Sequence, residues 1–413
     1  MNSSFMEFIT STDTNNSNQK KIRLTLTILV LISLANYILN AFLPAWQFRG
    51  VDFRAYYDFA CMPDPRIADQ PIPWFLYFPI WGVFFKPLSW FSYGIAKNIW
   101  VILNTLMAGG FIWGGGYLLS EKNSSHLSRI YIWSFLAVLV LNYPPLWVTL
   151  KNGQINLLIL ICLGASFGAW KKGYPLWAGF FLALAISTRY TPGIFLLYWV
   201  IKKEYKLCLS TLGTLGGLLI LSIIVLGWKV HLDYWILFKH YAAYTQIHYN
   251  LYGNITLYSL LSNLKGDGYL PGFISPMAGQ VSFSIVLLGT AIMLSLRQTR
   301  MKAVPTLLEY GLWATILPLI SYFGENHHYT FPLLGFMGGW EVLTHKEFRS
   351  ALGLLLIGWL GTGLVFHAQN MGITRFCTQY FNYLDGLFIL GSCLVLCYLT
   401  YRFRSPIKED SLS

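Results

Sequence analysis

The sequence predicts an all-α polytopic integral membrane protein. Of its 413 residues, 55% are hydrophobic and only 11% are charged, whereas soluble globular proteins carry about 25% charged residues. The mean hydropathy is +0.51. Aromatic residues make up 17% of the chain and include 16 tryptophans, which suits the two interfaces of a bilayer. Together these observations exclude an ordinary soluble domain.

The net charge of +12 does not indicate a nucleic-acid partner. The basic residues occur as small clusters between apolar runs and not as one face or tail, which is the pattern of cytosolic loops in membrane proteins. The six cysteines contain no CxxC pair, and four of them lie in or beside apolar segments. Neither disulfides nor a cysteine metal site is therefore predicted.

The two ends of the chain are polar. Residues 1–20 are rich in Ser, Asn and Thr, which predicts a disordered cytosolic tail. The apolar run from Ile22 is too long for a cleaved signal peptide and is interpreted as the first membrane helix. A single transmembrane domain is predicted over 21–404, followed by a cytosolic tail at 405–413.

Thirteen apolar runs are candidates for spans, each judged against the roughly 20 apolar residues that a crossing helix needs. They cover 22–44, 74–90, 93–119, 129–147, 155–170, 174–189, 191–201, 206–228, 279–296, 303–322, 329–344, 350–367 and 384–401. Basic clusters begin at Lys20, Lys122, Lys171, Lys202, Arg297, Lys346 and Arg402. If 74–90 lies on the outer surface without crossing, all seven clusters fall on the cytosolic side, with 18 of the 29 Lys and Arg.

This arrangement predicts about twelve transmembrane helices, a surface juxtamembrane helix at 74–90, and large outer loops at 45–92 and 229–278. It requires 174–201 to cross twice as a hairpin that turns at 187–192, where Pro192 breaks the helix. Both termini are then cytosolic.

Polar side chains of five outer segments are predicted to reach the same membrane face. They include Asp52, Arg54 and Asp58, then Lys151 and Gln154, then Arg189, then Asn254, and finally Glu325, His327 and His328. Their convergence indicates an outward-facing site. Arg189 is the most specific signal, because an arginine flanked by two apolar half-helices is costly to place without a partner or a function.

Six segments between 45 and 335 carry a family resemblance. They are DFRAY, FLYFPIWGVFFKPL, PPLWVTLKNGQINLLIL, AGFFLALAISTRYTPGIFLLYWVIKKEYK, GNITLYSLL and SYFGENHHYTFPLL. In this order they resemble the motifs of glycosyltransferase family 87, the DUF2029 group of the GT-C membrane superfamily. The chain departs from those motifs at Arg189, where the family usually has lysine, and at Gly324 and Glu325, where it has Ser-Trp.

The resemblance implies a GT-C fold and a glycosyltransferase that uses a polyprenyl-phosphate sugar as donor, often of mannose. The acceptor would be a lipid or glycan at the outer face of the cell membrane. The resemblance further implies Asp52 as the general base. No metal and no cofactor other than the donor substrate is expected.

The remaining site residues follow from the needs of the reaction. A departing phosphate needs cations or hydrogen-bond donors. Candidates are Arg189, His327 and His328, with Arg54 and Lys151 as further ones. Gln154 and Asn254 are neutral candidates for orienting the sugar or the phosphate.

Rival functions remain open. A lipid-linked sugar transporter or flippase would need polar groups at mid-depth of the membrane or an inverted repeat, and neither is visible in the sequence. An oligosaccharide ligase would place paired arginines in a large outer loop, but 229–278 contains no arginine. A non-enzymatic membrane scaffold does not predict polar residues that converge from five outer segments. The transferase is the favoured hypothesis, and the flippase is its main alternative.

Overall fold

The computed structural model describes residues 16–62, 75–120, 126–247, 254–303, 306–321, 324–343, 345–362 and 383–403. Every regular element in these ranges is helical, which confirms the all-α prediction. The predicted tail at 405–413 and most of that at 1–20 lie outside the described residues. The first helix begins at Asn16, before the predicted start at Ile22.

Seventeen helices follow one another along the described chain. The first nine are α1 (Asn16–Tyr37), α2 (Val51–Cys61), α3 (Ile80–Phe85), α4 (Tyr93–Leu119), α5 (His126–Leu141), α6 (Pro144–Asn152), α7 (Asn156–Lys171), α8 (Pro175–Thr188) and α9 (Ile194–Ile201). The others are α10 (Tyr205–Leu226), α11 (Trp228–Ile247), α12 (Leu257–Gly266), α13 (Pro276–Arg300), α14 (Leu307–Ile320), α15 (Leu333–Gly338), α16 (Arg349–Gly361) and α17 (Leu384–Arg402). Helix α1 continues through a π turn, Ile38–Phe42, and a last helical turn, Leu43–Gln47.

Five of these helices are long and apolar enough to cross a membrane. They are the continuous helix Gln19–Gln47 that contains α1, together with α4, α10, α13 and α17. Helices α5 and α6, bent by 57° between them, form a sixth candidate. Helices α7, α8, α14 and α16 are apolar but have only 13 to 16 residues, or about 20–24 Å. A membrane-embedded helical protein is therefore supported, while the predicted twelve spans and the GT-C fold are not confirmed.

The segment predicted as a surface helix is short and irregular. Its described part contains α3 and then the 3-10 turn Lys86–Trp90, which together cannot cross a bilayer. Helix α3 packs against α2, where the rings of Phe85 and Tyr56 stack at 4.6 Å. The apolar side of this segment is therefore used to hold α2 in place.

The hairpin at 174–201 breaks where Pro192 predicts it. Helix α8 ends at Thr188, a 3-10 turn follows at Thr191–Gly193, and α9 begins at Ile194. The predicted outer loop 229–278, in contrast, is largely helical in its described part, since it contains α11 and α12.

Two of the basic clusters, those that begin at Lys171 and Lys202, lie at one end of the helical bundle. Lys171, the last residue of α7, donates to the carbonyl of Leu118 at the end of α4. Lys202, just after α9, forms a buried 2.6 Å ion pair with Glu309 in the first turn of α14 and reaches the carbonyl of Ser295 near the end of α13. Helices α7, α8 and α14 lead from this basic end toward the opposite end of the bundle.

Candidate active site

A cavity of about 500 Å³ lies at that opposite end. Its polar lining includes Asp52, Tyr77, Gln154, Arg189, Glu325, His327 and His328. Five of the eight predicted site residues are therefore brought together from segments that are far apart in sequence. They are the proposed base and Gln154, Arg189, His327 and His328.

Asp52 lies in the first turn of α2. The chain enters this helix through Gly50, whose φ of +63° is a conformation that glycine adopts without steric cost. A carboxylate in a first turn also interacts favourably with the positive end of the helix dipole. Burial raises the pKa of the Asp52 carboxyl, while a hydrogen bond with Gln154 and the charge of Arg189 oppose the rise.

A tight turn between α6 and α7 holds Gln154 beside Asp52. Gly153 has φ +72°, and a Cβ atom there would lie 2.6 Å from the Cβ of Phe53. The indole of Trp100 donates to the Gly153 carbonyl at 2.8 Å. The close approach that glycine permits therefore fixes this turn against α2.

Gln154 and Tyr77 hold Arg189 through neutral hydrogen bonds. The side-chain carbonyl of Gln154 accepts from the Tyr77 hydroxyl at 2.9 Å and from Arg189 Nη2 at 3.2 Å. The Tyr56 hydroxyl donates to that of Tyr77 at 2.7 Å, and the guanidinium lies 5.7 Å from the centre of the Tyr77 ring. Arg189 is in none of the ion pairs found within the described ranges. Its charge thus faces the cavity without a carboxylate bound to it.

The two histidines lie on the 3-10 turn Asn326–Thr330. The carbonyl of His327 accepts from Asn156 Nδ2 at 2.9 Å and from the Thr330 hydroxyl at 2.7 Å. The rings of His327 and His328 are 4.2 Å apart. Burial and the nearby charge of Arg189 lower the pKa of both rings well below the usual value, so both are neutral in the empty cavity.

Asn254 lies behind the cavity and not in its wall. Its side-chain oxygen accepts from the Thr256 hydroxyl at 3.0 Å and from the Gly324 amide at 3.2 Å. The amide of Ile255 in turn donates to the Gly324 carbonyl at 2.8 Å. Asn254 therefore braces the segment that leads into Glu325.

Arg54 and Lys151 also lie outside the cavity lining. Arg54 forms a solvent-exposed ion pair with Asp58 at 2.7 Å. The ammonium of Lys151 lies 4.9 Å from the centre of the Phe48 ring. Neither residue is placed to contact a molecule bound beside Asp52.

Two of the polar lining residues that contact the predicted site residues, Tyr77 and Glu325, were not themselves predicted as site residues. Tyr77 is one of 26 tyrosines, and only its place in FLYFP marked it. Glu325 was visible in GENHHY but carried no assigned role. Burial and the charge of Asp52 raise the pKa of Glu325 to about 7, against the opposing effect of Arg189.

No metal site is evident in the parts of the chain that the structure describes, where no three His, Cys, Asp or Glu side chains cluster closely enough to hold an ion. Metal independence of the reaction stays a prediction.

Two curated relatives are similar to part of the chain. Both are named polyprenol-phosphate-mannose-dependent alpha-(1-2)-phosphatidylinositol mannoside mannosyltransferase. The protein of Mycobacterium tuberculosis is 24% identical over 174 residues, which cover 39% of each chain. That of Mycolicibacterium smegmatis is 24% identical over 171 residues, or 39% of this chain and 38% of the relative. The matched region thus spans about two-fifths of the relatives' length.

The sequence model of glycosyltransferase family 87 matches residues 75–366, well over half of the chain. The match begins after Asp52 and includes Gln154, Arg189 and both histidines. The resemblance stated from the motifs is confirmed, and so is the enzyme class that it implies, at the level of the family. The chain belongs to glycosyltransferase family 87.

Proposed function

We propose that this protein is a membrane glycosyltransferase that moves a hexosyl residue from a polyprenyl-phosphate donor to a glycan or glycolipid acceptor. The names of its relatives favour mannose as the sugar. The observation that carries the proposal is the cavity in which a partly buried carboxylate, an arginine without a bound carboxylate and two histidines meet, in a chain of family 87.

Asp52 is proposed as the general base. As the bond between the sugar C1 and the acceptor oxygen forms, the proton of the acceptor hydroxyl passes to the Asp52 carboxylate. The bond between C1 and the donor phosphate breaks, and its electron pair leaves with the phosphate. The raised pKa of Asp52 makes this carboxylate a stronger proton acceptor, and its negative charge stabilises the positive charge that develops on the sugar ring.

Arg189 is proposed to bind the donor phosphate together with a histidine. Gln154 and Tyr77 orient the guanidinium without neutralising it, so its charge is available to a phosphate oxygen. A neutral histidine can add a hydrogen bond to the same phosphate from the ring nitrogen that carries its proton.

The polyprenyl chain is proposed to lie along the apolar wall of the cavity. Leu215, Gly216 and Leu219 of α10 and Leu317 and Pro318 of α14 form part of that wall. The adjacent surface of α10 is exposed and apolar, as expected of a helix in contact with lipid. The start of the predicted surface segment also contributes, through Leu76 and Phe78.

The cavity is proposed to face the outer side of the cell membrane. It lies at the far end of α7, α8 and α14 from the clusters that include Lys171 and Lys202. Because basic residues accumulate on the cytosolic side, this separation supports an outward-facing site.

The proposal is tested by incubating membranes that contain the protein with radiolabelled polyprenyl-phosphate mannose and identifying the labelled product. The wild-type protein is expected to transfer the label, and Asp52→Asn to lower the rate by about 10²–10⁴-fold, since an amide cannot accept the proton. Asp58→Asn is the matched control, because Asp58 is paired with Arg54 outside the cavity; it should keep most of the activity.

Equal losses in the two variants would contradict the assignment of Asp52 as the single base. Absence of any labelled product, combined with movement of the intact labelled donor across the membrane, would instead support the flippase.

A further inference from the structure

Glu325 contacts the two histidines through different parts of its structure. Its backbone amide donates to Nδ1 of His328 at 2.9 Å. Its carboxylate accepts from the His328 amide, as the cap of the 3-10 turn, and lies 3.3 Å from Nδ1 of His327. The chain departs here from the family motif that it resembles, which has Ser-Trp at positions 324–325.

Because of these contacts, Nε2 is a hydrogen-bond donor in one neutral ring and an acceptor in the other. Because Nδ1 of His328 accepts from an amide, the proton of that ring is on Nε2, which is then a donor. The carboxylate beside Nδ1 of His327 favours a proton on that nitrogen, which leaves Nε2 of His327 as an acceptor.

His327 is fixed in position, yet its ring has no hydrogen-bond partner within the described ranges. Its carbonyl accepts two short hydrogen bonds, and the residue is only 2% exposed. Neither ring nitrogen makes a hydrogen bond, although Nδ1 lies 3.3 Å from the Glu325 carboxylate. Buried polar atoms are usually satisfied, so a lining residue held in this state points to a missing ligand.

We propose that Glu325 is a positioning residue that assigns the two histidines to two tasks. His328 donates from Nε2 to the donor phosphate. His327, with a proton on Nδ1 favoured by the nearby Glu325 carboxylate, accepts a hydrogen bond at Nε2 from a hydroxyl group of the substrate, either on the transferred sugar or on the acceptor. This inference rests on the proposed function.

The charge of Glu325 predicts a pH dependence. Asp52, Arg189, His327 and His328 line the same cavity. Burial and the charge of Asp52, opposed by that of Arg189, raise the pKa of Glu325 to about 7. The carboxyl is ionised above that pH and protonated below it. Because only the ionised carboxylate favours the proton on Nδ1 of His327, activity should rise as the pH increases through about 7.

The test compares Glu325→Gln with wild type in the transfer assay. Glutamine keeps an oxygen that can cap the turn but loses the charge. The expected result is a roughly 10- to 100-fold lower kcat and loss of the rise near pH 7. Glu347→Gln, the same substitution at an exposed position of the 3-10 turn Lys346–Phe348, should match wild type.

A double-mutant cycle shows through which of the two histidines the Glu325 side chain acts. The effect of Glu325→Gln should largely vanish in a His327→Gln background, because the side chain acts through that ring. It should persist in a His328→Gln background, because the backbone amide that contacts His328 is unchanged. A rise in KM for the acceptor or for the donor would show which molecule supplies the hydroxyl.

Equal coupling to both histidines, or a pH profile that Glu325→Gln leaves unchanged, would overturn the inference while wild-type transfer still upheld the proposed function. If Glu325→Gln lowers the amount of folded protein, the kinetics of Glu325→Asp test the role of the carboxylate instead. Its shorter carboxylate still caps the turn, so a lower kcat with the pH dependence retained is expected, and wild-type kinetics would refute the role.

Discussion

At the scale of single residues, Arg189 shows most directly how an expectation from the sequence relates to the contacts in the structure. An arginine between two apolar helices required a partner or a function. The structure supplies neutral partners, Gln154 and Tyr77, which orient the guanidinium and leave its charge for a ligand. The same contacts explain why the residue tolerates its place at the end of α8.

Replacement of Arg189 tests this role. Arg189→Ala should raise the KM for the polyprenyl-phosphate donor by at least 10-fold or abolish turnover, because a charge-assisted bond to phosphate is lost. Arg189→Lys should be tolerated, since the family usually has lysine there. Initial rates at varied donor concentration measure the effect. Arg54→Ala serves as the control, and an unchanged KM in Arg189→Ala would remove the residue from the phosphate site.

Residues with an ionisable side chain next to an apolar run could be recognised from the sequence. Asp52, Arg189 and His327 are ionisable groups next to apolar runs, and each lines the cavity. Tyr77 could not be singled out, because a tyrosine beside a membrane is ordinary until its hydroxyl is seen to contact Gln154. The placement of Asn254 behind the cavity depends on a pairing with Gly324, 70 residues away, which no local pattern encodes.

At the scale of elements, the turn at Gly153 positions two site residues at once. It combines a left-handed backbone conformation with a close approach to Phe53, the residue after Asp52. Any side chain at position 153 must therefore displace α2 relative to Gln154.

Gly153→Ala should consequently lower both thermal stability and transfer activity. Its cost combines about 1–2 kcal/mol for the left-handed conformation with about 1–3 kcal/mol for overpacking. Gly173→Ala is the matched control, because Gly173 has φ +80° but open space around its Cβ position. The melting temperature in detergent should fall further for Gly153→Ala, and only that variant should lose activity. Similar behaviour of the two would show that the contact with Phe53 is unimportant.

Helix breaks at proline were predictable, whereas helices rich in polar residues were not. Pro192 marked the end of a helical segment because it removes a backbone donor. Helix α11 carries Asp233, Lys239 and His240, so its composition indicated a loop. Its helical state is supported by contacts with distant groups, such as the packing of the His231 ring against Phe78.

At the scale of the whole molecule, the basic clusters and the cavity lie at opposite ends of the same helices. The clusters could be read from the sequence because charge follows the membrane side. The number of spans could not, because several apolar helices are shorter than a full crossing and their composition does not distinguish crossing from packing.

Cysteine labelling tests this orientation. In a chain without its native cysteines, Trp90→Cys should react with an impermeant thiol reagent added outside intact cells. Lys172→Cys should react only after the membrane is opened. Both positions are exposed, so access depends on the side of the membrane. Labelling of both from the same side would refute the non-crossing segment at 74–90 or the direction of the bundle.

The shortness of α7 has a consequence for which donors can be used. Its 16 residues span about 24 Å, less than the roughly 30 Å of the hydrocarbon core. If the bundle is oriented as proposed, with Lys171 at the cytosolic surface, the end beside Gln154 stops a few ångströms below the opposite surface. A sugar carried on a membrane lipid presents its phosphate near this depth, whereas a water-soluble nucleotide sugar would have to be drawn into the bilayer. In the proposed orientation, helix length alone would therefore favour lipid-borne donors before any side chain makes contact.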